Sequence, residues 1–425
     1  MARALRFGSL ALACAALLPG CGTTSDGDVV RFWAFGREGE VVQELVRDFE
    51  QENPGIRVRV QQIPWSAAHE KLLTAHVGDA SPDIAQLGNT WIPEMETLNA
   101  LEPLDSLVGA GGLPDSSWYP GIVATNVVDR QLYGIPWYVD TRVMFYRSDI
   151  LKRAGYDKLP ESWEGWREAM RAVRRLQGPG KYAIFLPTNE WPPQAILGLQ
   201  QGSALIDSSG RGVFSGPEFG RAFDFLLSLY RDSLAPPVSN TEIANLYQEF
   251  GRGYFAMYIT GPWNLGEFRR RLPDSLKHAW ATAPLPGPTG RPSGTSLAGG
   301  ASLVIFRRSR HKNAAWKLIQ FLSRPEQQLR FYRLTGDLPA RKETWRDSLL
   351  ANDVPAAAFR DQLERAVPTP MVPEWEQVTT KIMDHTEAAV RGGVTPVAAR
   401  AAMDADVDRL LERRRFLLAR TRSTP

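Results

Sequence analysis

Cysteine is nearly absent from this chain. Two occur among 425 residues, Cys14 and Cys21, and both lie within the first 21 positions. The rest of the chain therefore excludes a disulfide framework, a cysteine zinc site and a thiol nucleophile. Histidine is scarce too, at five residues. His69 and His76 share a helical stretch but sit two turns apart, roughly 10 Å along the axis. That spacing is too wide for one metal ion, and no HExxH motif occurs. Neither a metal nor a cofactor is expected. An excess of one charge is also missing. Setting aside Arg3 and Arg6 leaves 48 of the 50 basic residues against 47 acidic ones. Such a balance leaves no electrostatic footprint for nucleic acid. The runs Arg269-Arg270-Arg271 and Arg413-Arg414-Arg415 read as solvated helix faces. No GxxxxGK[ST] segment is present, which excludes a P-loop ATPase. Past the N-terminus no apolar run approaches the roughly 20 residues of a membrane-spanning helix, which excludes a permease.

What is present starts at the N-terminus. Arg3 and Arg6 precede an apolar run from Phe7 to Leu18, and Gly20 precedes Cys21. This is the layout of a secretory signal. Leu18-Pro19-Gly20-Cys21 resembles a bacterial lipobox, in which the thiol of Cys21 is lipidated and the chain is cut before it. Ordinary secretory cleavage beside a bystander cysteine is the alternative. Residues 1–20 then form the signal peptide. Residues 21–27, small and polar, form a flexible lipid-anchor tether. The expected location is the cell envelope: the periplasm where the cell has an outer membrane, otherwise the outer face of the cell membrane. The remaining chain is long enough for two lobes, since single cores stop growing at roughly 250–300 residues.

The first part of the body reads as βαβ units. Residues 29–35, VVRFWAF, suit a buried parallel strand, and Glu40–Glu52 carries Val41, Val42, Leu45, Val46 and Phe49 at helical spacing. After Asn53-Pro54-Gly55, Ile56, Val58 and Val60 alternate with polar residues. A helix over about 67–77 and a strand over 83–87 follow. The pattern predicts an open parallel sheet of α/β class. Ligands bind such sheets beyond the carboxyl ends of the strands, which here carry Arg37, Glu38 and Glu40, then Asn89, Thr90 and Trp91. Val139–Tyr146 reads as one extended apolar run, interrupted by Asp140 and Arg142. Further helices are predicted over 162–176, 217–231 and 239–252, and from Lys312 onward. Residues 182–191 read as a strand running into a polar turn at Asn189-Glu190-Trp191, a strand is predicted over 254–260, and a prolyl-glycyl stretch leads into a strand starting at Gly299-Gly300.

Taken in order, several segments match a known pattern. They include FWAFGREGE (32–40), PDIAQLGNTW (82–91), YGIPWYVDTRVMFYRSDILKRAG (133–155), GRGYFAMYITGPWNLGEF (251–268), LAGGASLVIFRRSRHKNAAWKLIQFLSRPEQQ (297–328) and GDLPARKETW (336–345). The chain resembles the extracellular solute-binding lipoproteins of ABC sugar importers, the maltose-binding-protein-like family. The resemblance implies the two-lobed periplasmic-binding-protein type II fold, with discontinuous lobes joined by hinge-crossing segments. One lobe would hold 28–138 and 284–335, and the other 139–283 and 336–425. Crossings would fall near 137–141, 284–288 and 335–339. It further implies a monomer that captures a sugar by lobe closure and docks on ABC permease subunits served by a separate ATPase, held at the membrane through lipid on Cys21.

A sugar offers hydroxyl edges and apolar C–H faces. Carboxylates, amides and guanidinium groups suit the edges, and indoles suit the faces. The chain has thirteen tryptophans. The mixture recurs at five turns: Glu38 and Glu40; Asn89, Thr90 and Trp91; Trp137, Asp140 and Arg142; Asn189, Glu190 and Trp191; Trp263 and Asn264. Gly299 and Gly300 would allow close backbone approach. Arg341 and Trp375 are further candidates. Each has a plainer reading. Asp140 and Arg142 could form a structural ion pair, Trp91 and Trp263 could be packing indoles, and Glu38 or Glu40 could favour a helix N-terminus. A glycoside hydrolase using two of Glu38, Asp140 and Glu190 would need carboxyls about 5–9.5 Å apart, which the spacing does not select. A sensory binding protein, or one for a polyamine or a glycerol phosphodiester, is the remaining alternative.

Overall fold

The computed structural model describes residues 28–111 and 115–416. The signal, the tether and Cys21 lie outside the described residues. Ten strands build two sheets. They are β1 (Asp28–Phe35), β2 (Ile56–Ile63), β3 (Ile84–Gly88), β4 (Ile135–Asp140), β5 (Val143–Arg147), β6 (Tyr182–Phe185), β7 (Phe255–Thr260), β8 (Trp280–Ala283), β9 (Gly299–Ile305) and β10 (Leu338–Pro339). The larger sheet runs in the order β10-β4-β9-β3-β1-β2 and the smaller in the order β8-β5-β7-β6. In the larger sheet β1, β2 and β3 are parallel, as the βαβ pattern requires. β9 runs antiparallel to both β3 and β4, so the whole sheet is mixed.

Local sequence explains the elements that present the site. Gly36 takes a positive φ of 50°, a conformation that favours glycine. It turns the chain from β1 straight into the helix Gly36–Glu52. That helix starts four residues before the apolar periodicity predicts, and Glu38 falls in its buried first turn. Val41, Val42, Leu45, Val46 and Phe49 form its inner face, and Phe49 meets Phe321 edge-on at 5.5 Å. The predicted helix over 239–252 is instead two short pieces. Ser239 and Glu242 cap a turn at Asn240–Glu242 reciprocally, and Asn245 caps a separate helix, Leu246–Gly251. Two side-chain caps six residues apart start the chain twice.

The run Val139–Tyr146 is not one strand. β4 ends at Asp140 in the larger sheet, and β5 begins at Val143 in the smaller. Thr141 and Arg142 carry the chain across. Ser296 pins the crossing, accepting from Arg142 N at 3.2 Å and donating to Arg142 O at 2.9 Å. The prolyl stretch after β8 returns the chain to the larger sheet. It is held by Gln362, which accepts from Leu285 N at 2.7 Å and donates to Gly294 O at 2.8 Å. The third passage follows β10. The strands overrun the expected partition slightly: Val139, Asp140, Leu338 and Pro339 are still paired within the larger sheet.

Candidate functional site

A cleft of about 1000 Å³ opens between the two sheets. Its floor begins at Glu38. Tyr138 Oη donates to Glu38 Oε1 at 2.9 Å, and Trp65 Nε1 donates to it at 3.3 Å. Gln86 Nε2 donates to Tyr138 Oη at 3.0 Å, while Gln86 Oε1 accepts from Phe35 N at 2.7 Å. The carboxylate is thus held by neutral donors, Tyr138 on β4, backed by Gln86 of β3, and Trp65 just after β2. Burial raises the Glu38 pKa, and these hydrogen bonds oppose the rise. Asp337, just after Gly336, lines the same cavity. Burial, with the Glu38 and Asp140 charges, pushes its carboxyl up to about 8. Burial and the Glu38 charge also push the Tyr138 hydroxyl well up.

Aromatic rings form the walls. Trp65 and Trp91 meet edge-on at 5.7 Å over Phe35, which lies 5.2 Å from Trp65. On the other side Trp263 is 47% exposed, and the Arg142 guanidinium lies over its ring at 4.5 Å. Arg142 also donates to Asp140 Oδ1 at 2.9 Å. The ion pair of the plainer reading therefore exists, and it faces the cleft. Trp191 adds a third surface, backed edge-on by the buried Trp375 at 5.4 Å. Gly299 pairs with Asp140 across the β4–β9 ladder. Gly300 has a φ of 120°, and a Cβ there would lie 2.3 Å from Tyr138 O. The close approach of β9 to β4 requires glycine.

The structure thus gathers Glu38, Asn89, Thr90, Trp91, Asp140, Arg142, Trp191, Trp263, Gly299 and Gly300 around one cavity. Asn89 is buried at its edge, with its amide committed to Thr125 and its oxygen to Ser302. Five candidates lie elsewhere. Trp137 is a core residue, stacked on Phe331 at 4.4 Å. Asn264 is buried between Tyr247 and Thr260. Arg341 is buried, paired with Glu343 at 2.9 Å and lying over Trp118. Glu40 pairs with Arg37 on the surface, which lowers its pKa. Glu190 sits beside the cavity, accepting from Asn240 and from Tyr258, and burial raises its pKa. The sequence reading missed Trp65, Tyr138, Asp337 and Glu376, all of which line the cleft. Two signals were available. Trp65 follows the carboxyl end of β2, where the strand-end rule applies. Strand alternation puts Tyr138 on the face of Asp140 and turns Trp137 inward.

Among the described residues no group of three His, Cys, Asp or Glu is placed to hold a metal ion. No helix there is long and apolar enough to cross a membrane.

Two α/β units facing across a wet, indole-lined cleft define a solute-binding protein. The chain belongs to the bacterial extracellular solute-binding protein family, whose profile matches residues 35–329. It is similar to the sugar-binding protein MalE of Xanthomonas citri, at 48% identity and a TM-score of 0.89, over 92% of this chain and 99% of that one. It is also similar to maltose-bound MalE3 of T. maritima, at 25% identity and a TM-score of 0.75, covering 91% and 100%. The diacetylchitobiose binding protein DasA of Streptomyces coelicolor is 24% identical over 381 residues, 84% of this chain and 86% of that protein. These relatives are binding proteins.

Proposed function

We propose that this protein captures a di- or oligosaccharide in the cleft by closure of its two lobes and delivers it to the membrane subunits of an ABC importer. The observation that carries this reading is the pairing of a half-exposed indole, Trp263, with a carboxylate held by neutral donors, Glu38. An indole plane packs against the apolar face of a pyranose. A carboxylate accepts hydroxyl hydrogens strongly. The naming of the relatives for sugars supports the same substrate class. Glu38, Asp140, Arg142, Trp65, Trp91 and Trp263 are the proposed contacts. A ligand shifts the open–closed equilibrium only by its preference for the closed form, so groups on both walls must engage it. The protein acts as a carrier and leaves the sugar unchanged. It is anchored outside the cytoplasm through lipid on Cys21.

A thermal-shift screen with maltose, maltotriose, diacetylchitobiose, a galactooligosaccharide, spermidine and a glycerol phosphodiester tests the class. A rise in melting temperature with a saccharide, and recovery of that saccharide intact, is expected. A response confined to spermidine or the phosphodiester would overturn the sugar reading. For the anchor, fatty-acid labelling should tag the wild-type chain and not Cys21→Ser.

A further inference from the structure

Thr90 and Glu376 meet across the mouth of the cleft. Thr90 follows β3 of the larger sheet, and its Oγ1 donates to Glu376 Oε1 at 2.7 Å. Glu376 lies in the first turn of the helix Trp375–Val390. Trp375, Val378 and Ile382 of that helix are buried in one core with Met144, Ile184 and Met257 of the smaller sheet. The hydrogen bond therefore joins the end of β3 in the larger sheet to a helix packed on the smaller sheet. Two more contacts share the rim. Met371, just before the helix, packs against the cluster of Phe35, Ile92 and Trp91 on the larger-sheet side. His69, 5.0 Å from Trp91, is bonded to Glu94 at 2.5 Å. That bond chiefly favours its protonated form, and the Glu376 carboxylate adds attraction from across the mouth.

We infer that the Thr90–Glu376 hydrogen bond is a latch that favours the closed arrangement and so sets the affinity and dwell time of the captured solute. The inference rests on the proposed capture by closure. Apparent affinity scales with the population of the binding-competent state. The latch sits at the rim and not on the Glu38 floor, so it acts on that population rather than on ligand contacts. A contact completed after encounter acts mainly on dissociation. The pair is exposed, so its loss should cost about three- to tenfold in affinity, less than a buried charged bond.

The test uses two spin labels, on Arg59→Cys and Arg175→Cys, exposed positions near the larger and smaller sheets. The full chain also carries Cys14→Ser and Cys21→Ser, so no other thiol is present. In the absence of sugar, Thr90→Val and Glu376→Ala should each move the label distance distribution toward longer separations. The double variant should add nothing further, and Thr90→Ser should restore the wild-type distribution. Maltose affinity should fall about three- to tenfold in Thr90→Val, through faster release. Distances unchanged in both single variants would overturn the latch. Shifted distances without maltose binding by any form would keep the latch and count against maltose as ligand. Maltose binding with unmoved distances would keep the sugar site and remove the latch.

Discussion

The larger sheet has a cavity at each end, and the two differ in chemistry. At the carboxyl ends of β1 and β3 lies the cleft, with Glu38, Tyr138, Asp140 and four tryptophans, Trp65, Trp91, Trp191 and Trp263. At the amino end lies a hollow of about 480 Å³ that holds Arg31, Asp79, Asp83, Arg308 and His311, and no tryptophan, tyrosine or phenylalanine lines it. There the charges answer one another. Arg31 pairs with Asp83 at 3.6 Å, Arg308 with Asp79 at 2.7 Å and His311 with Asp28 at 3.0 Å. At the cleft end Glu38 is held by an indole, a phenol and, behind the phenol, an amide. Its lone pairs are not spent on a cation. Concavity alone therefore does not make a site. What distinguishes the cleft is an acid, Glu38, held by neutral donors beside partly exposed aromatic rings.

Six substitutions test this contrast. The largest effect is expected from Trp137→Ala, which removes a buried ring stacked on Phe331 in the core of the larger sheet. It should lower the unfolding free energy by about 3–5 kcal/mol in a denaturant titration. Sugar affinity of the folded fraction should stay near that of the wild type. Collapse of affinity at unchanged stability would return Trp137 to the cleft. Next come Asp140→Asn and Trp263→Ala. Loss of one charged hydrogen bond, or of a stacking plane of similar worth, should weaken sugar binding by about 10- to 150-fold in calorimetry. Melting temperature should barely move.

A further effect concerns pH. The folded protein holds the Asp337 proton up to about 8, against 3.8 ordinarily. The native state thus binds a proton that the unfolded chain releases. Its contribution to stability is full below the ordinary value and is lost as pH rises through about 8. Glu38, also raised, acts in the same direction. Asp337→Asn should flatten the decline of the unfolding midpoint over that window, and an unaltered slope would assign the effect to another group. The smallest effect is expected at the amino end. Arg31→Gln and Arg308→Gln should leave sugar affinity within about twofold, and Arg308→Gln should change stability by less than about 1 kcal/mol, because its pair with Asp79 is exposed. A large loss of binding there would erase the contrast.

Much of this arrangement was legible in the sequence. Apolar periodicity located β1, the helix after it, β2 and β3, and the strand-end rule pointed to Glu38, Asn89, Thr90 and Trp91. The crossing at Thr141-Arg142 was not legible in apolar periodicity, because β4 and β5 are equally apolar and only two residues separate them; the family resemblance alone implied one near 137–141. Trp137 was misassigned because an indole beside an acid looks the same on either face of a strand, whereas alternation from Asp140 would have chosen Tyr138. Glu376 was out of reach. It lies 286 residues from Thr90, and only the packing of its helix brings the two together. Asn264 and Arg341 had suitable chemistry for a sugar, but protein partners already occupy it.

The most direct test of the account is a calorimetric titration of the saccharide that gives the largest thermal shift, into the wild type, Trp263→Ala and Arg308→Gln side by side. The account predicts one site in the wild type, binding weakened about 10- to 150-fold in Trp263→Ala, and an unaltered isotherm in Arg308→Gln. Equal affinity in the wild type and Trp263→Ala, or loss of binding in Arg308→Gln, would contradict it.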